Sequence, residues 1–390
     1  MIKDRRVLIG ITGSIAAFKS LDIIRSLLKE GAIIDVVMTD SATLFVSPLT
    51  ISSFTTRHVF TGLFDDPFTH INLARQTELL LIAPATANTI SKLACGIADN
   101  LLTNIVLAYN GIKLIAPAMN HRMYENPVIR ENIRRLEERG FGFIGPVEGQ
   151  LACGDEGMGR MAEVDDIVET VITALSPKDL KGQKVLVTAG PTREYIDAVR
   201  FISNRSSGRM GYEIARASVR RGADVILISG PSSLTPPPGV KLINVESASQ
   251  MEDAVFKNLK GVTVVVMASA VCDLMPESRT HKKLDKDSIN ILKLKKTNDI
   301  LKRLSMHKGK RVVVGFSAEY GQRIDRAKEK LKDKGLDLIV FNDISKKGAG
   351  FDVETNIVSI IHKDGSVEDL PLMKKTDVAD IILDRIRAML

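Results

Sequence analysis

The 390-residue sequence predicts an α/β protein of two successive doubly wound domains, each built on a mostly parallel sheet. Three observations predict it. Short unbroken apolar runs read as strands buried on both faces, helical-period segments separate them, and the order restarts near residue 184.

The first run, "VLIGIT" at 7–12, is followed by a small-residue turn and the helical segment "AAFKSLDIIRSLLKEGA" at 16–32. A second apolar run, "IIDVVMT" at 33–39, completes the strand–helix–strand unit of a parallel sheet. "LLLIAP" at 79–84 and "IKLIAPAM" at 112–119 add buried strands, each ending in a proline-containing loop. At "ALSPKDLKGQK" the texture changes: Pro177, Gly182 and several lysines mark a linker over 177–182, between domains at 1–176 and 183–390. The second domain begins with "KVLVTAG" at 184–190, a long polar loop, the helix "MGYEIARASVRRGA" at 210–223 and the strand "DVILISG" at 224–230. Later strands fall at 262–270, 311–318 and 336–342, and "DVADIILDRIRAML" closes the chain as an amphipathic helix.

Composition narrows the function. The 54 basic and 47 acidic residues leave a net charge of +7, but aromatic residues make up only 5% and tryptophan is absent. Stacking platforms for bases are therefore scarce, and the excess charge is read as directed at small anionic ligands rather than nucleic acid. Cys95, Cys153 and Cys272 lie far apart without a CxxC pair, which argues against a disulfide framework or a zinc site and for a reducing compartment, the cytoplasm. No stretch reaches the roughly 18 apolar residues that cross a bilayer. Near the N-terminus, Gly10, Thr12, Gly13 and Ser14 interrupt the apolar run, so a strand and turn fit better than a signal peptide.

In open parallel sheets ligands bind beyond the carboxyl ends of the strands, which selects the loops after the strands. In "GITGSIAAFK", Gly10 and Gly13 would let the backbone approach a phosphate while Thr12 and Ser14 add hydroxyls; a plain tight turn reads equally well. His70 precedes an amphipathic segment and could be a satisfied surface histidine. "PATANTISK" offers Thr86, Asn88, Thr89 and Ser91 at a helix start. Asn120 follows Met119, where an amide can hold a carboxylate and a methionine can pack a flat ring. "LACGDEGMGRMAE" at 151–163 sets Cys153 in a glycine-rich stretch without helical or strand periodicity, a loop.

Taken in order, "GITGSIAAFK", "HINLAR", "APATANTISKLACGIADNLLT", "APAMN" and "GQLACGDEGMGRMAE" closely resemble the flavin-dependent cysteine decarboxylases that make phosphopantetheine. The resemblance implies a flavodoxin- or Rossmann-like domain binding FMN through Gly10, Thr12, Gly13, Ser14, Thr39, Pro84, Thr86, Asn88 and Met119. It implies His70 as the active-site base, Asn120 as the holder of the substrate carboxylate and Cys153, on a closing lid, as the acid that protonates the reduced intermediate. A thiol does not stabilise loss of the neighbouring CO2, whereas oxidation to a thioaldehyde gives the departing electrons a sink. Trimer-based oligomers, in which neighbouring subunits complete each site, also follow from the resemblance.

In the second domain, the long loop "PTREYIDAVRFISNRSSGRMG" sets Ser206, Ser207 and Gly208 at a helix start, with Arg200, Arg205 and Arg209 as anion-binding forks. Two lysine-rich stretches, "THKKLDKDSINILKLKKTNDIL" and "RAKEKLKDKGLDLIVFND", read by themselves as solvated helix faces. Together with "ASAVCD", "KTNDIL" and "VGFSAE", these segments resemble the phosphopantothenate-cysteine ligase domain fused behind the decarboxylase in bifunctional coenzyme A enzymes. That resemblance implies a Rossmann-like, dimeric ligase that activates a carboxylate with CTP as an acyl-cytidylate before cysteine attacks. It implies Arg200 and Asn204 at the acyl-cytidylate, with Ser269, Asp273, Asn298, Asp299, Ile300, Leu301, Phe316, Lys330 and Lys334 at the nucleotide. The family's lysine-isoleucine-lysine string reads "HKKLDK" here, which favours Lys283 as the catalytic lysine and leaves Lys282 open. Mg2+ is implied by nucleotide chemistry, its ligands unknown, and ATP remains an alternative to CTP. A flavin-dependent decarboxylase of another cysteine-containing substrate, or a flavin-carrying regulatory module, are the competing readings.

Replacing Cys153 by serine is expected to retain FMN and substrate binding while an oxidised intermediate accumulates, visible by mass spectrometry; normal product formation would contradict the acid role.

Overall fold

A computed structural model describes residues 2–64, 67–150, 154–285, 291–321, 323–346, 348, 350 and 353–390. The chain divides into two compact units, Met1–Ser176 and Pro177–Leu390.

In the first unit, β1 (Arg6–Ile11), β2 (Ile33–Met38), β3 (Val59–Phe60), β4 (Leu79–Ala85), β5 (Ile112–Pro117) and β6 (Phe141–Phe143) form one sheet in the order β3-β2-β1-β4-β5-β6. Every pairing is parallel. This is the Rossmann order, which places the reversal of winding between β1 and β4. All seven residues of β4 are buried, which explains its continuous apolar run. One apolar layer packs the helix Lys19–Lys29 through Ile23, Ile24 and Leu27, while a second packs Ile90, Leu93, Leu102 and Ile105 on the opposite face. The segment predicted as helix from Ala16 begins instead as a 3-10 turn, Ile15–Phe18, because the Ser14 hydroxyl caps it through the Ala16 N–H.

Past the sheet, β7 (Val147–Gln150) and β8 (Glu156–Arg160) pair antiparallel. The sequence reading of 151–163 as loop therefore needs correction at 156–160. That strand is held by its cross-strand ladder rather than by an apolar face, and "EGMGR" carries no alternation to reveal it.

The second unit repeats the winding. Its sheet contains β9 (Lys184–Ala189), followed after the short hairpin β10 (Arg193–Tyr195) and β11 (Phe201–Ser203) by β12 (Asp224–Ser229), β13 (Lys241–Asn244) and β14 (Val264–Met267). A second short pair, β15 (Leu274–Pro276) and β16 (Leu294–Lys296), precedes β17 (Val312–Glu319) and β18 (Leu338–Asp343). After β19 (Thr355–Asn356) the sheet resumes in β20 (Val358–His362) and β21 (Val367–Asp369). The order is β13-β12-β9-β14-β17-β18-β20-β21, parallel as far as β18 and antiparallel beyond. Within the first lysine-rich stretch, Leu294–Lys296 is a strand rather than a helix face: it pairs with β15, in keeping with the alternation of leucine and lysine at 292–295. The second is a helix, Ile324–Asp333, which buries Ala327 and Leu331 and turns its charges outward.

Arg221 closes this unit. Its guanidinium donates from Nε and Nη2 to the two oxygens of Asp179 at 2.8 and 2.7 Å, and from Nη1 to Asp384 at 2.7 Å. It thereby ties the unit's first residues and its last helix to the end of the helix Arg209–Arg220. Only 4% of Arg221 is exposed, and its loss would leave the Asp179 carboxylate with Arg387 alone, at 3.3 Å. Arg221→Met is expected to cost about 3 kcal/mol in urea unfolding at neutral pH. The Arg221 N–H groups hold the Asp179 carboxyl below the usual carboxylate range. Its stabilisation is thus present above the ordinary carboxyl pKa, about 4, and is lost as pH falls through the lowered folded value. The gap between wild type and variant should close at acid pH.

Candidate active sites

In the first unit the carboxyl ends of β1, β4 and β5 gather three loops. Thr12, 1% exposed, joins two of them: its hydroxyl donates to the Pro84 carbonyl at 2.8 Å and accepts the Thr86 N–H at 3.0 Å. Ser20 adds a second stitch, donating to the Ala83 carbonyl at 2.8 Å. The Thr12 hydroxyl is therefore spent within the protein, and Gly10 serves packing, since a Cβ there would lie 2.6 Å from a Leu102 methyl. Gly13 allows the β1 loop to approach the loop after β2, where a Cβ would meet that of Ser41 at 2.4 Å.

That neighbouring loop carries Thr39, whose buried hydroxyl has no hydrogen-bond partner among the described residues. A buried hydroxyl left unmatched is costly unless a ligand satisfies it. Thr86 caps the helix Ala87–Cys95, accepting from the Thr89 N–H at 3.3 Å, and Asn88 stands exposed on its first turn. Met119 is half-buried, and its N–H donates to the Gly159 carbonyl at 3.0 Å. A Cβ on Gly159 would fall 2.2 Å from the Met119 carbonyl oxygen, so only glycine lets β8 lie against this loop. The Asn120 amide accepts the Arg122 N–H through Oδ1 at 2.9 Å and donates through Nδ2 to Asp155 at 3.3 Å. His70 sits apart on the helix Thr69–Gln76, its Nδ1 buried without a partner among the described residues. Cys153 lies outside the described residues. The orphaned Thr39 hydroxyl, on a loop that Gly13 lets the β1 loop approach, suits a polar end of a bound ligand, and FMN carries such groups.

In the second unit a cleft of about 1000 Å³ opens beyond β9, β14 and β17, at the reversal between β9 and β14. Its wall from the β9 loop includes Asn204 and the start of the helix Arg209–Arg220; Asn204 donates to the Val271 carbonyl at 2.9 Å. Gly208, with φ +82°, precedes that helix where a Cβ would press on the Gly190 nitrogen at 2.9 Å. Gly211 brings the helix against β9, its Cβ position 2.6 Å from that of Ala189. From the β14 loop come Ser269, hydrogen-bonded to Thr188 at 2.8 Å, and the exposed Asp273.

The opposite wall holds Asn298, Asp299, Ile300 and Leu301 at a helix start, with Phe316 on β17. Asp299 caps that helix and pairs with Lys334 at 3.0 Å. Lys330 donates to the Phe316 carbonyl at 3.5 Å, and burial together with the neighbouring Lys334 pushes its ammonium below the usual lysine range. An anion in the cleft would relieve both penalties. Arg200 and Lys283 do not line the cleft; the buried carboxylate of Asp197 joins their segments, accepting from the N–H groups of Arg200 and of Leu284, the residue after Lys283, at 2.7 and 3.1 Å.

Sequence reasoning missed Lys296, Arg326 and Lys375 in this cleft. Lys375 is 4% exposed at the start of the last helix, and nothing in its surroundings marks it apart from an ordinary surface lysine. Among the described residues no group of three or more His, Cys, Asp or Glu side chains is placed to hold a metal ion.

The chain matches two family models, Flavoprotein over residues 1–176 and the DNA/pantothenate metabolism flavoprotein C-terminal domain over 180–390. It is 44% identical to the coenzyme A biosynthesis bifunctional protein CoaBC of Bacillus subtilis, covering 100% of this chain and 98% of that protein. Against the Escherichia coli protein of the same name it is 37% identical, over 99% and 97%. Among solved structures, the C-terminal domain of a CoaBC protein matches 54% of this chain and 97% of its own at 42% identity, TM-score 0.48. A PPC decarboxylase mutant complexed with pantothenoylaminoethenethiol matches 43% and 97% at 35% identity, TM-score 0.40. With its strand order, paired sites and full-length likeness taken together, the chain belongs to the family of bifunctional coenzyme A biosynthesis enzymes, the CoaBC proteins.

Proposed function

We propose that the second unit joins cysteine to 4'-phosphopantothenate with CTP, and that the first unit decarboxylates the product to 4'-phosphopantetheine with FMN. The observation that carries this reading is likeness over the whole chain to proteins whose name denotes both halves, with a separate site at the winding reversal of each unit.

In the first unit, Gly13, Ser14, Thr39, Pro84, Thr86, Asn88 and Met119 would hold FMN, joined by the backbone of Gly10 and Thr12. Bound FMN would supply a two-electron oxidation of the cysteinyl carbon bearing sulfur to a thioaldehyde, and the return of those electrons after CO2 departs. The chain's own groups do the rest. Asn120, already aimed by its hydrogen bonds, holds the leaving carboxylate; His70 takes a substrate proton at its unpartnered nitrogen; Cys153 supplies a proton to carbon.

In the second unit, activation makes a carboxylate oxygen a leaving group, and cations must offset the triphosphate charge while it forms. Lys330 and Lys334 stand at the nucleotide, while Arg200, Asn204 and Lys283 serve the acyl-cytidylate, with Mg2+ carried on the phosphates. Exposed apolar side chains on the first unit, among them Leu44, Phe45, Leu49 and Phe54, support self-association through that unit; a trimeric decarboxylase and a dimeric ligase rest on the family resemblance alone. Action in the cytoplasm completes the reading; no described helix is long and apolar enough to cross a membrane.

Purified protein is expected to show a flavin visible spectrum and to yield 4'-phosphopantetheine by mass spectrometry from 4'-phosphopantothenate, cysteine and CTP. Colourless protein, or no pyrophosphate with CTP or ATP, would overturn the reading. Thr39→Val should leave unfolding of the flavin-free protein unchanged or raise stability by up to about 1 kcal/mol, because an unmatched hydroxyl is removed. The same variant should bind FMN more weakly in a fluorescence titration. Unchanged affinity would take Thr39 out of the flavin site.

A further inference from the structure

The loop from β9 to the helix Arg209–Arg220 and the segment after β15 are distant in sequence, yet one carboxylate joins them. Asp197 is fully buried. Its Oδ1 accepts the N–H groups of Val199 and Arg200, both at 2.7 Å, and its Oδ2 accepts the Leu284 N–H at 3.1 Å. The Arg200 guanidinium lies 3.5 Å from Oδ2. The Thr280 N–H donates to the Ile196 carbonyl at 3.3 Å, so the two segments touch at a second point.

Lys283 itself is exposed, and its side chain makes no hydrogen bond or ion pair among the described residues; its backbone is held because the next residue is. A long ammonium side chain on an untied loop would sample many positions, and small misplacements of a reacting group cost rate steeply. We propose that Asp197 is the positioning residue of the ligase site, locking the Arg200 turn and the Lys283 segment into one unit. The inference rests on the reading of Arg200 and Lys283 as ligase residues. Asp197 acts through other residues: it holds the backbone of both segments and pairs with the Arg200 guanidinium.

Asp197→Asn in the full chain is the test, assayed as pyrophosphate release with 4'-phosphopantothenate, cysteine and CTP. An amide keeps the size but has one accepting oxygen, so its NH2 must face either Leu284 or the Val199–Arg200 pair, donor against donor. The expected result is a loss in kcat of about 10- to 100-fold. KM for CTP should stay within about twofold, because the nucleotide contacts lie on other loops. Leu284→Pro removes the opposing N–H while leaving Asp197 intact, and should reproduce the kcat loss; it decides the matter if Asp197→Asn does not fold. Wild-type kcat in either folded variant would overturn the proposal. So would parallel loss of kcat, CTP affinity and unfolding temperature in both, which marks a general structural role. Lys283→Ala turning over at the wild-type rate would instead defeat the underlying assignment, and a separate variant reports it.

Discussion

A parallel strand cannot pair with its successor through a tight turn; the chain must cross the sheet through a helix, and right-handed crossovers then fix which face that helix covers. When winding reverses beside the first strand, successive crossovers leave on opposite faces, and the loops at the carboxyl ends part. That constraint operates at β1/β4 in one unit and at β9/β14 in the other. Both candidate sites lie where it leaves backbone groups and side chains without a covering helix.

The two units fill the opening differently. In the first, short loops are sewn together from within, with Thr12 and Ser20 bonding across to the Ala83–Pro84 segment and Gly159 admitting β8 against the Met119 loop. The groups left over, Thr39 and His70, are buried and unmatched among the described residues. In the second, the β9 loop is long enough to carry its own hairpin, and the cleft is walled by charged side chains and helix starts together with apolar groups such as Leu301 and Phe316. A compact ring system suits the first arrangement and a chain of phosphates the second.

Much of this was legible. The buried runs "LLLIAP" and "VLIGIT" announce central parallel strands, and Asn120 stands out because it follows a strand end, whereas Asn204 is marked only by the family resemblance of "RFISN". What stayed hidden depends on approach between distant backbones. The strand at Glu156–Arg160 has a ladder partner but no apolar alternation. Thr12 and Gly10 look like ligand groups in sequence, and what sequence does not show is that the Thr12 hydroxyl is also a strut between loops and that Gly10 makes room for Leu102. Asp197 was passed over because its partners are N–H groups, one of them 87 residues away, and backbone donors leave no trace in residue type.

The strand order also bears on how the protein is made. The pairs that build each site are the least local in their sheets: Thr12 and Pro84 are 72 residues apart, and Thr188 and Met267 are 79. Closing so long a loop costs more chain entropy than forming the neighbouring strand–helix–strand units. A nascent chain would therefore shape its outer strands before the central pair zips. Each site would be the last region to mature, leaving little chance for a half-folded chain to bind a ligand unproductively.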